Sequence, residues 1–210
     1  MDNDLKNVIG LEYAKRAFEV AVSGGHSILI AGAKGSGKTT LINAFPNSIA
    51  FEQELCPCGY YLSEHYCDCN PKEIRAFRNN KRIERGDFLY DINIMLKENI
   101  YFKNILAESE NSETVFKRIE ETKKLQKRRY EGSSIVLNGQ LATSEIKNYC
   151  ILSDDCKDLI KNYFAKFGRS IKDVLSIIKV SRTIADMDKS VDIRQVHVAE
   201  AIQYKMIEYI

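Results

Sequence analysis

The sequence predicts an α/β fold, with a small parallel sheet and flanking helices in the first half and an all-α segment in the last third. Two observations predict it. Up to about residue 110, short apolar runs alternate with stretches of helical periodicity, whereas the last third shows helical spacing alone. A chain of 210 residues is long enough for one α/β domain and a smaller helical one.

The first two elements are a helix and a buried strand. Apolar residues recur at helical spacing from Val8 to Ala21, and Gly24 and Gly25 are expected to end this helix. The run SILIAG follows, and its residues 27–31 predict a short buried strand bounded by glycines.

A phosphate-binding motif directly follows this strand. The segment GAKGSGKT fits G-x-x-x-x-G-K-[ST] in full and precedes a helix predicted from Lys38 to about Phe45. Glycines allow consecutive backbone N–H groups to surround phosphate oxygens, and the helix N-terminus adds positive potential. Lys38 is expected to reach the β- and γ-phosphates of ATP, and the Thr39 hydroxyl to join the Mg²⁺ shell. The predicted nucleotide-binding residues of this segment are Gly32, Ala33, Lys34, Gly35, Ser36, Gly37, Lys38, Thr39 and Thr40.

The middle of the chain predicts two strands and two helices. Residues 47–55 (NSIAFEQEL) and 88–96 predict strands, the latter from its alternating apolar residues. Asn70 and Glu73 form a capping-box-like pair at the start of a helix, and a charged helix is predicted over 112–130.

Four of the six cysteines lie in one short loop, residues 56–69. They are Cys56, Cys58, Cys67 and Cys69. Four thiolates suit a tetrahedral Zn²⁺ site, with His65 as a substitute ligand. The C-x-C spacing is tighter than the usual C-x₂-C, so a metal-free loop of reduced thiols stays open as the alternative.

Three further helices are predicted in the last third, over 153–167 and from Ser170 and Asp192. The second is expected to bury Ile171, Val174, Leu175, Ile178, Ile184 and Ala185. The third is expected to bury Ile193, Val196, Ala199, Ile202 and Met206, and no partner is expected for His197.

Several long segments together resemble one family. They are VIGLEYAKRAFEVAVSGGHSILIAGAKGSGKTTL, CPCGYY with CDCNPKEIRAFR, LNGQLATSEIKNYC, and VSRTIADMDKSVDIRQVHVAEAIQY. They resemble the Mg-chelatase-like AAA+ ATPases, in the ComM-like branch related to magnesium chelatase subunit I. The resemblance implies a shortened AAA+ core (1–110), a charged connecting helix (111–132) and a helical lid (133–210). It also implies assembly into a ring and, for ComM-like members, DNA helicase activity in branch migration. The N-terminal domain that those members carry, which resembles part of the Lon protease fold, is expected to be absent here.

The sequence departs from this family where ATP would be hydrolysed. Between Pro46 and Cys56 the family has a long insert with the Walker B strand ending in Asp-Glu, and no Asp-Glu pair occurs anywhere in this chain. The family's γ-phosphate-sensing asparagine corresponds to the place of Glu54 and Leu55. Loss of these groups is expected to leave little hydrolysis, because phosphoryl transfer relies on metal positioning and charge stabilisation.

Two arginines of the family are also replaced. Leu89 occupies the position of the arginine finger, with Arg85 nearby but out of register, and Lys172 occupies that of the sensor-2 arginine. The family's strand order predicts that 88–96, 27–31 and 48–55 remain neighbours, which leaves 48–55 as an unpaired sheet edge.

Two predicted helices carry clusters of basic residues, although the formal net charge is only +2. Contact with nucleic-acid phosphates and a solvated helix face are the two interpretations. The clustered residues are Lys72, Arg75, Arg78, Lys81, Arg82 and Arg85 in one helix and Lys123, Lys124, Lys127, Arg128 and Arg129 in the other.

The sequence thus predicts an ATP-binding protein whose hydrolysis is in doubt. The alternative is a non-hydrolysing, nucleotide-dependent binding or regulatory module that joins a full-length AAA+ partner. The start MDNDLKNVIG lacks the pattern of a signal peptide, and no apolar run approaches a membrane span, so we expect a cytoplasmic protein.

Overall fold

A computed structural model describes residues 4–85, 90–96, 109–167 and 170–205. Three parallel strands form its sheet: β1 (Ser27–Gly32), β2 (Ile49–Gln53) and β3 (Ile92–Leu96). The order is β2-β1-β3, so the predicted arrangement of three neighbouring strands is confirmed.

Four helices accompany the sheet: α1 (Glu12–Gly24), α2 (Lys38–Ala44), α3 (Pro71–Arg85) and α4 (Ser112–Arg129). The predicted capping pair is present at α3. The Asn70 side chain accepts from the Glu73 backbone N–H at 3.0 Å, and the Glu73 carboxylate accepts from the Asn70 N–H at 2.9 Å.

Four C-terminal helices complete the described chain: α5 (Thr143–Tyr149), α6 (Asp154–Phe167), α7 (Ile171–Met187) and α8 (Gln195–Gln203). The last helix begins three residues later than the pattern around Asp192 predicts.

One apolar core joins the sheet to the C-terminal helices. Ile92 and Ile94 on β3 are fully buried, as the alternation of that strand predicts. On β1, Ile28, Leu29, Ile30 and Ala31 are all buried, so the predicted buried strand is confirmed. The same core continues through α1 and α4 to Ile177 on α7. The two parts of the chain are therefore packed together through buried apolar surface.

Two sequence predictions about helix faces are wrong, and two other details of the helices also differ from the prediction. Val196 is 61% exposed and Ile171 is 72% exposed, because each lies in the first turn of its helix, outside the buried stripe. On α8 the buried residues include His197 instead, and its Nε2 lies 3.3 Å from the carboxylate of Asp188, a partner that the sequence did not reveal. The first helix begins at Glu12 rather than at Val8.

The C-terminal helices contact the sheet at its amino end. On α7, Ser176 Oγ donates to Asp91 at 2.7 Å, and Thr183 Oγ1 lies 2.8 Å from His26 Nε2. Asp91 precedes β3 and His26 precedes β1, so both lie opposite the end at which the glycine loop begins. Burial favours the neutral acid, but the hydrogen bond and charge of His26 and the charge of Lys179 outweigh it and hold the pKa of Asp91 well below its ordinary value.

Strand β2 forms one edge of the sheet in the part of the chain that the structure describes. Its Ile49 and Phe51 side chains are 50% and 40% exposed. Within the described residues, no helix combines the length and apolar character needed to cross a membrane.

Candidate nucleotide-binding site

The glycine loop joins β1 to α2 in a strand–loop–helix arrangement. Gly35 and Gly37 have φ angles of 80° and 92°, which residues with a Cβ rarely adopt. A Cβ built on Gly37 would lie 3.1 Å from the Leu11 side chain, so the loop packs closely on the turn before α1. The glycines of the motif therefore allow the positive φ angles of this loop.

Lys38 lies inside the loop that precedes it. Its Nζ donates to the carbonyl oxygens of Gly32 at 3.0 Å and Ala33 at 2.7 Å, and the residue is only 8% exposed. Burial lowers the pKa of Lys38, while the negative charges of Glu52 and Glu54 oppose that shift. The lysine is thus positioned by the loop without any ligand.

A cavity of about 550 Å³ lies beside the loop. This volume is in the range of small-molecule sites, and the carboxyl ends of β1 and β2 are the end of a parallel sheet at which ligands bind. Lys34, Lys38 and Thr39 of the motif line it, together with Phe77 and Lys81 of α3. The arrangement brings cations and backbone N–H groups to one concave surface.

The end of β2 forms the opposite wall of this cavity. Glu52 accepts a hydrogen bond from Thr39 Oγ1 at 3.1 Å, and Glu54 lines the same space. Gln53 is 7% exposed, and its Nε2 is buried without a hydrogen-bond partner. Sequence reasoning gave no role to Glu52 or Gln53, because only the pairing of β2 beside β1 brings them to the loop.

Two other residues that were predicted to bind the nucleotide do not line the cavity. Thr40 is exposed on α2, and Lys172 is exposed in the first turn of α7. The described residues that line the cavity all lie between Leu29 and Tyr90, so Lys172 is not among them. The position assigned to the arginine finger, Leu89, lies outside the described residues.

The four clustered cysteines come together in space. Their sulfur atoms all lie within 4.8 Å of one another. The distances are 3.4 Å for Cys56–Cys58, 3.5 Å for Cys58–Cys67 and 3.8 Å for Cys56–Cys67. A tetrahedral site with Zn–S bonds of 2.3 Å requires sulfur atoms about 3.8 Å apart. The donor set and its spacing therefore fit one Zn²⁺ ion.

Backbone N–H groups surround these sulfur atoms. The Tyr61 N–H donates to Cys56 Sγ at 3.3 Å, and the hydrogen bond from the Tyr60 backbone lowers the pKa of Cys58. His65, the predicted substitute ligand, packs its ring on Tyr60 at 5.3 Å and is not part of the four-sulfur group.

The cysteine loop rests directly on the glycine loop. The backbone N–H of Lys34 donates to the Gly59 carbonyl at 2.8 Å. A Cβ on Gly59 would lie 2.6 Å from Lys34 Cε, so these segments are in tight contact. The Lys34 ammonium also lies 5.7 Å from the centre of the Tyr60 ring. The folding of residues 56–69 thus supports one side of the candidate nucleotide site.

Arg78 and Arg129 of the basic clusters make contacts with other segments of the chain. Arg78 stacks on the Tyr61 ring at 5.0 Å and donates to the Leu55 carbonyl at 3.2 Å. Arg129 donates two hydrogen bonds to the buried carboxylate of Asp186. These contacts favour a structural role for both arginines.

Comparison with known proteins places both halves of the chain in one group. A family model described as magnesium chelatase, subunit ChlI, matches residues 4–53, and a model of the ChlI C-terminal region matches residues 109–205. The YifB protein of Salmonella typhimurium is 30% identical over 156 residues, and the competence protein ComM of Haemophilus influenzae is 27% identical over 152 residues. These alignments cover 72% and 71% of this chain but only 29% and 28% of the relatives' lengths.

Proposed function

Because this chain belongs to the magnesium chelatase ChlI-like and ComM-like family of AAA+ proteins, we propose that it binds ATP with Mg²⁺ and leaves it essentially uncleaved. In this proposal the glycine loop contacts the phosphates, and the chain keeps the part of the family site that binds nucleotide. The part that performs hydrolysis is reduced.

The observation that carries this proposal is the geometry of Lys38. Its ammonium group is already positioned on the Gly32 and Ala33 carbonyls beside a cavity of suitable size. An ammonium at this place, next to a helix N-terminus, supplies the positive potential that a triphosphate requires. Thr39 lies at the first turn of α2, where its hydroxyl suits the Mg²⁺ shell.

The expectation of slow hydrolysis comes from the shortened core. The sequence has no Asp-Glu pair, and the segment between α2 and the cysteine loop contains only β2. Each group that positions metal, water or the γ-phosphate contributes orders of magnitude to phosphoryl transfer. Binding depends mainly on the loop, so it is expected to survive their loss.

The binding site is tested by isothermal titration calorimetry with ATP and Mg²⁺. We expect Lys38→Ala to weaken ATP binding at least about 100-fold, because it removes the only side-chain cation that the loop encloses. Lys157→Ala, at an exposed lysine on α6, is the matched control and should leave the affinity unchanged. Equal affinity in both variants would contradict the site assignment.

We further propose that residues 56–69 bind one structural Zn²⁺ ion. The support is the set of four thiols at the separation that tetrahedral zinc requires. Elemental analysis should find about one zinc per chain, and the double variant Cys58→Ser/Cys67→Ser should lose it. The Cys150→Ala variant, at a buried cysteine outside the cluster, should retain the metal.

A second candidate function is a nucleotide-dependent module that joins a larger AAA+ relative or a ring of its own copies. The exposed edge of β2, with Ile49 and Phe51 half exposed, supports it, since an unpaired strand edge offers backbone groups to a partner. Light scattering after size exclusion, with and without ATP, tests ring formation. Addition of DNA to the same samples tests the proposed link to nucleic acid.

A further inference from the structure

The hydrogen bond between Thr39 and Glu52 places a carboxylate where the nucleotide's cation would be bound. Glu52 pairs with Ile30 across the parallel ladder, so it lies at the carboxyl end of β2, next to the strand that leads into the glycine loop. Thr39 Oγ1 donates to Glu52 Oε2 at 3.1 Å. A hydroxyl that donates to a carboxylate keeps its lone pairs free for a metal ion.

We propose that Glu52 anchors the divalent cation of the bound nucleotide, directly or through a water in the cation's shell. This inference rests on the proposed function, because the cation arrives with the nucleotide. Mg²⁺ is bound in such sites by one or two carboxylates, a hydroxyl and phosphate oxygens. Glu52 and Thr39 supply the protein's share of that set, and the carboxylate comes from β2 instead of the missing acidic strand end.

An independent observation places the rest of a ligand in the same cavity. Gln53 follows Glu52 on β2 and lines the same cavity. Its Nε2 is buried and has no hydrogen-bond partner. A buried amide without a hydrogen bond costs free energy, about 1–3 kcal/mol, so a native structure rarely leaves one unless something else binds it. An anionic oxygen of a nucleotide is the acceptor that suits an N–H donor there.

A divalent cation suits the charge of this wall of the cavity. Glu52 and Glu54 both line the cavity, and each would repel the phosphates of a free nucleotide. A divalent cation between the carboxylates and the phosphates converts that repulsion into attraction. Glu52 is the one of these two carboxylates that is bonded to Thr39 in the described structure, so we assign the cation to Glu52.

The test measures nucleotide affinity with and without metal, using the non-hydrolysable analogue AMPPNP and calorimetry. The quantity is the ratio of Kd in buffer without Mg²⁺ and without a chelator, so that the zinc of residues 56–69 is retained, to Kd in excess Mg²⁺. We expect a ratio of at least about 10 for the wild type and for the control Glu131→Gln, at an exposed glutamate that does not line the cavity. For Glu52→Gln we expect the ratio to fall at least about fivefold. Glu52 is exposed, so this substitution should leave the fold intact, as circular dichroism will verify.

A second readout follows the cation itself. Binding of Mn²⁺ to the AMPPNP complex should remove the free-Mn²⁺ signal in electron paramagnetic resonance for the wild type, and much less so for Glu52→Gln. If Glu52→Gln keeps the wild-type ratio and Mn²⁺ binding, or if wild-type affinity is independent of metal, this inference is wrong while nucleotide binding stands. If the wild type binds no AMPPNP at all, both the proposed function and the inference about Glu52 are wrong.

Discussion

The two ends of the small sheet differ in how their polar side chains contact one another. At the amino end, Asp91 accepts hydrogen bonds from Ser27 and Ser176, and Lys179 lies 3.8 Å away. His26 contacts Thr183 through Nε2, while its buried Nδ1 lies 3.7 Å from Asp91. These groups lie close together and join the C-terminal helices to the sheet, although the Nδ1 of His26 is buried without a hydrogen bond.

At the carboxyl end, Thr39 and Glu52 are paired, but some other polar groups in or beside the cavity lack side-chain partners. The Nε2 of Gln53 and the Oγ of Ser36 are buried without partners, and Lys38 bonds only to carbonyls of its own loop. We infer that the amino end contributes mainly to folding, and we propose that the carboxyl end binds a ligand. Variants at the two ends should therefore separate stability from binding.

The largest effect on folding is expected from Asp91→Ala. It removes the acceptor of two serine hydroxyls and leaves His26 and Lys179 without their carboxylate. Loss of one partner of a buried polar cluster costs about 3 kcal/mol. Urea unfolding should show this loss, and nucleotide affinity should change by less than twofold. A similar loss in the exposed control Asp154→Ala would contradict a specific role.

Lowering the pH should remove the stabilisation that the Asp91 carboxylate provides. The folded pKa of Asp91 is lowered relative to about 3.9 in the unfolded chain, so the folded state binds fewer protons. The stabilisation is therefore complete above about pH 4 and is lost as the pH falls towards the folded pKa. The difference in unfolding free energy between wild type and Asp91→Asn should shrink between pH 5 and pH 3. A constant difference over that range would show that the charge of Asp91 does not contribute.

Removal of zinc should affect the carboxyl end more than the amino end. The cysteine loop contacts the glycine loop through Gly59 and Lys34, so its unfolding would free one side of the site. We expect a zinc-selective chelator, with Mg²⁺ kept in excess, to weaken ATP binding about tenfold, or about 1.4 kcal/mol. The Cys58→Ser/Cys67→Ser protein, already without metal, should show no further loss. Unchanged ATP affinity after zinc removal would show that the cysteine loop does not support ATP binding by the glycine loop.

The smallest change in stability is expected from Gln53→Leu, and this variant should be more stable than the wild type. Replacing an unsatisfied buried amide with an apolar side chain should stabilise the unliganded protein by about 1 kcal/mol. The same change should weaken binding of AMPPNP, because a donor is lost from the cavity. Thermal unfolding and calorimetry measure the two effects. A destabilised variant with normal affinity would assign Gln53 to folding instead.

The sequence predicted much of this arrangement because the relevant signals are local. The glycine motif, the capping pair at Asn70 and the cysteine spacing each involve residues within one short segment. The order of the three strands came from the family resemblance, and the structure confirms it.

The features that sequence reasoning missed depend on contacts between segments. Glu52 meets Thr39, thirteen residues away, only because β2 lies parallel to β1 in one register. The partner of His197, Asp188, lies beyond the helix that carries it. Val196 follows an apolar period but lies in the first turn of α8, where the helix leaves the core.

The central claim is that this site binds ATP and leaves it intact. Single-turnover analysis tests it most directly, with protein in excess over radiolabelled ATP, Mg²⁺ present, and samples with and without DNA. We predict that ATP co-elutes with the wild-type protein, stays uncleaved, and no longer co-elutes with Lys38→Ala. Cleavage that disappears in Lys38→Ala, or an absence of bound ATP in the wild type, would contradict the account.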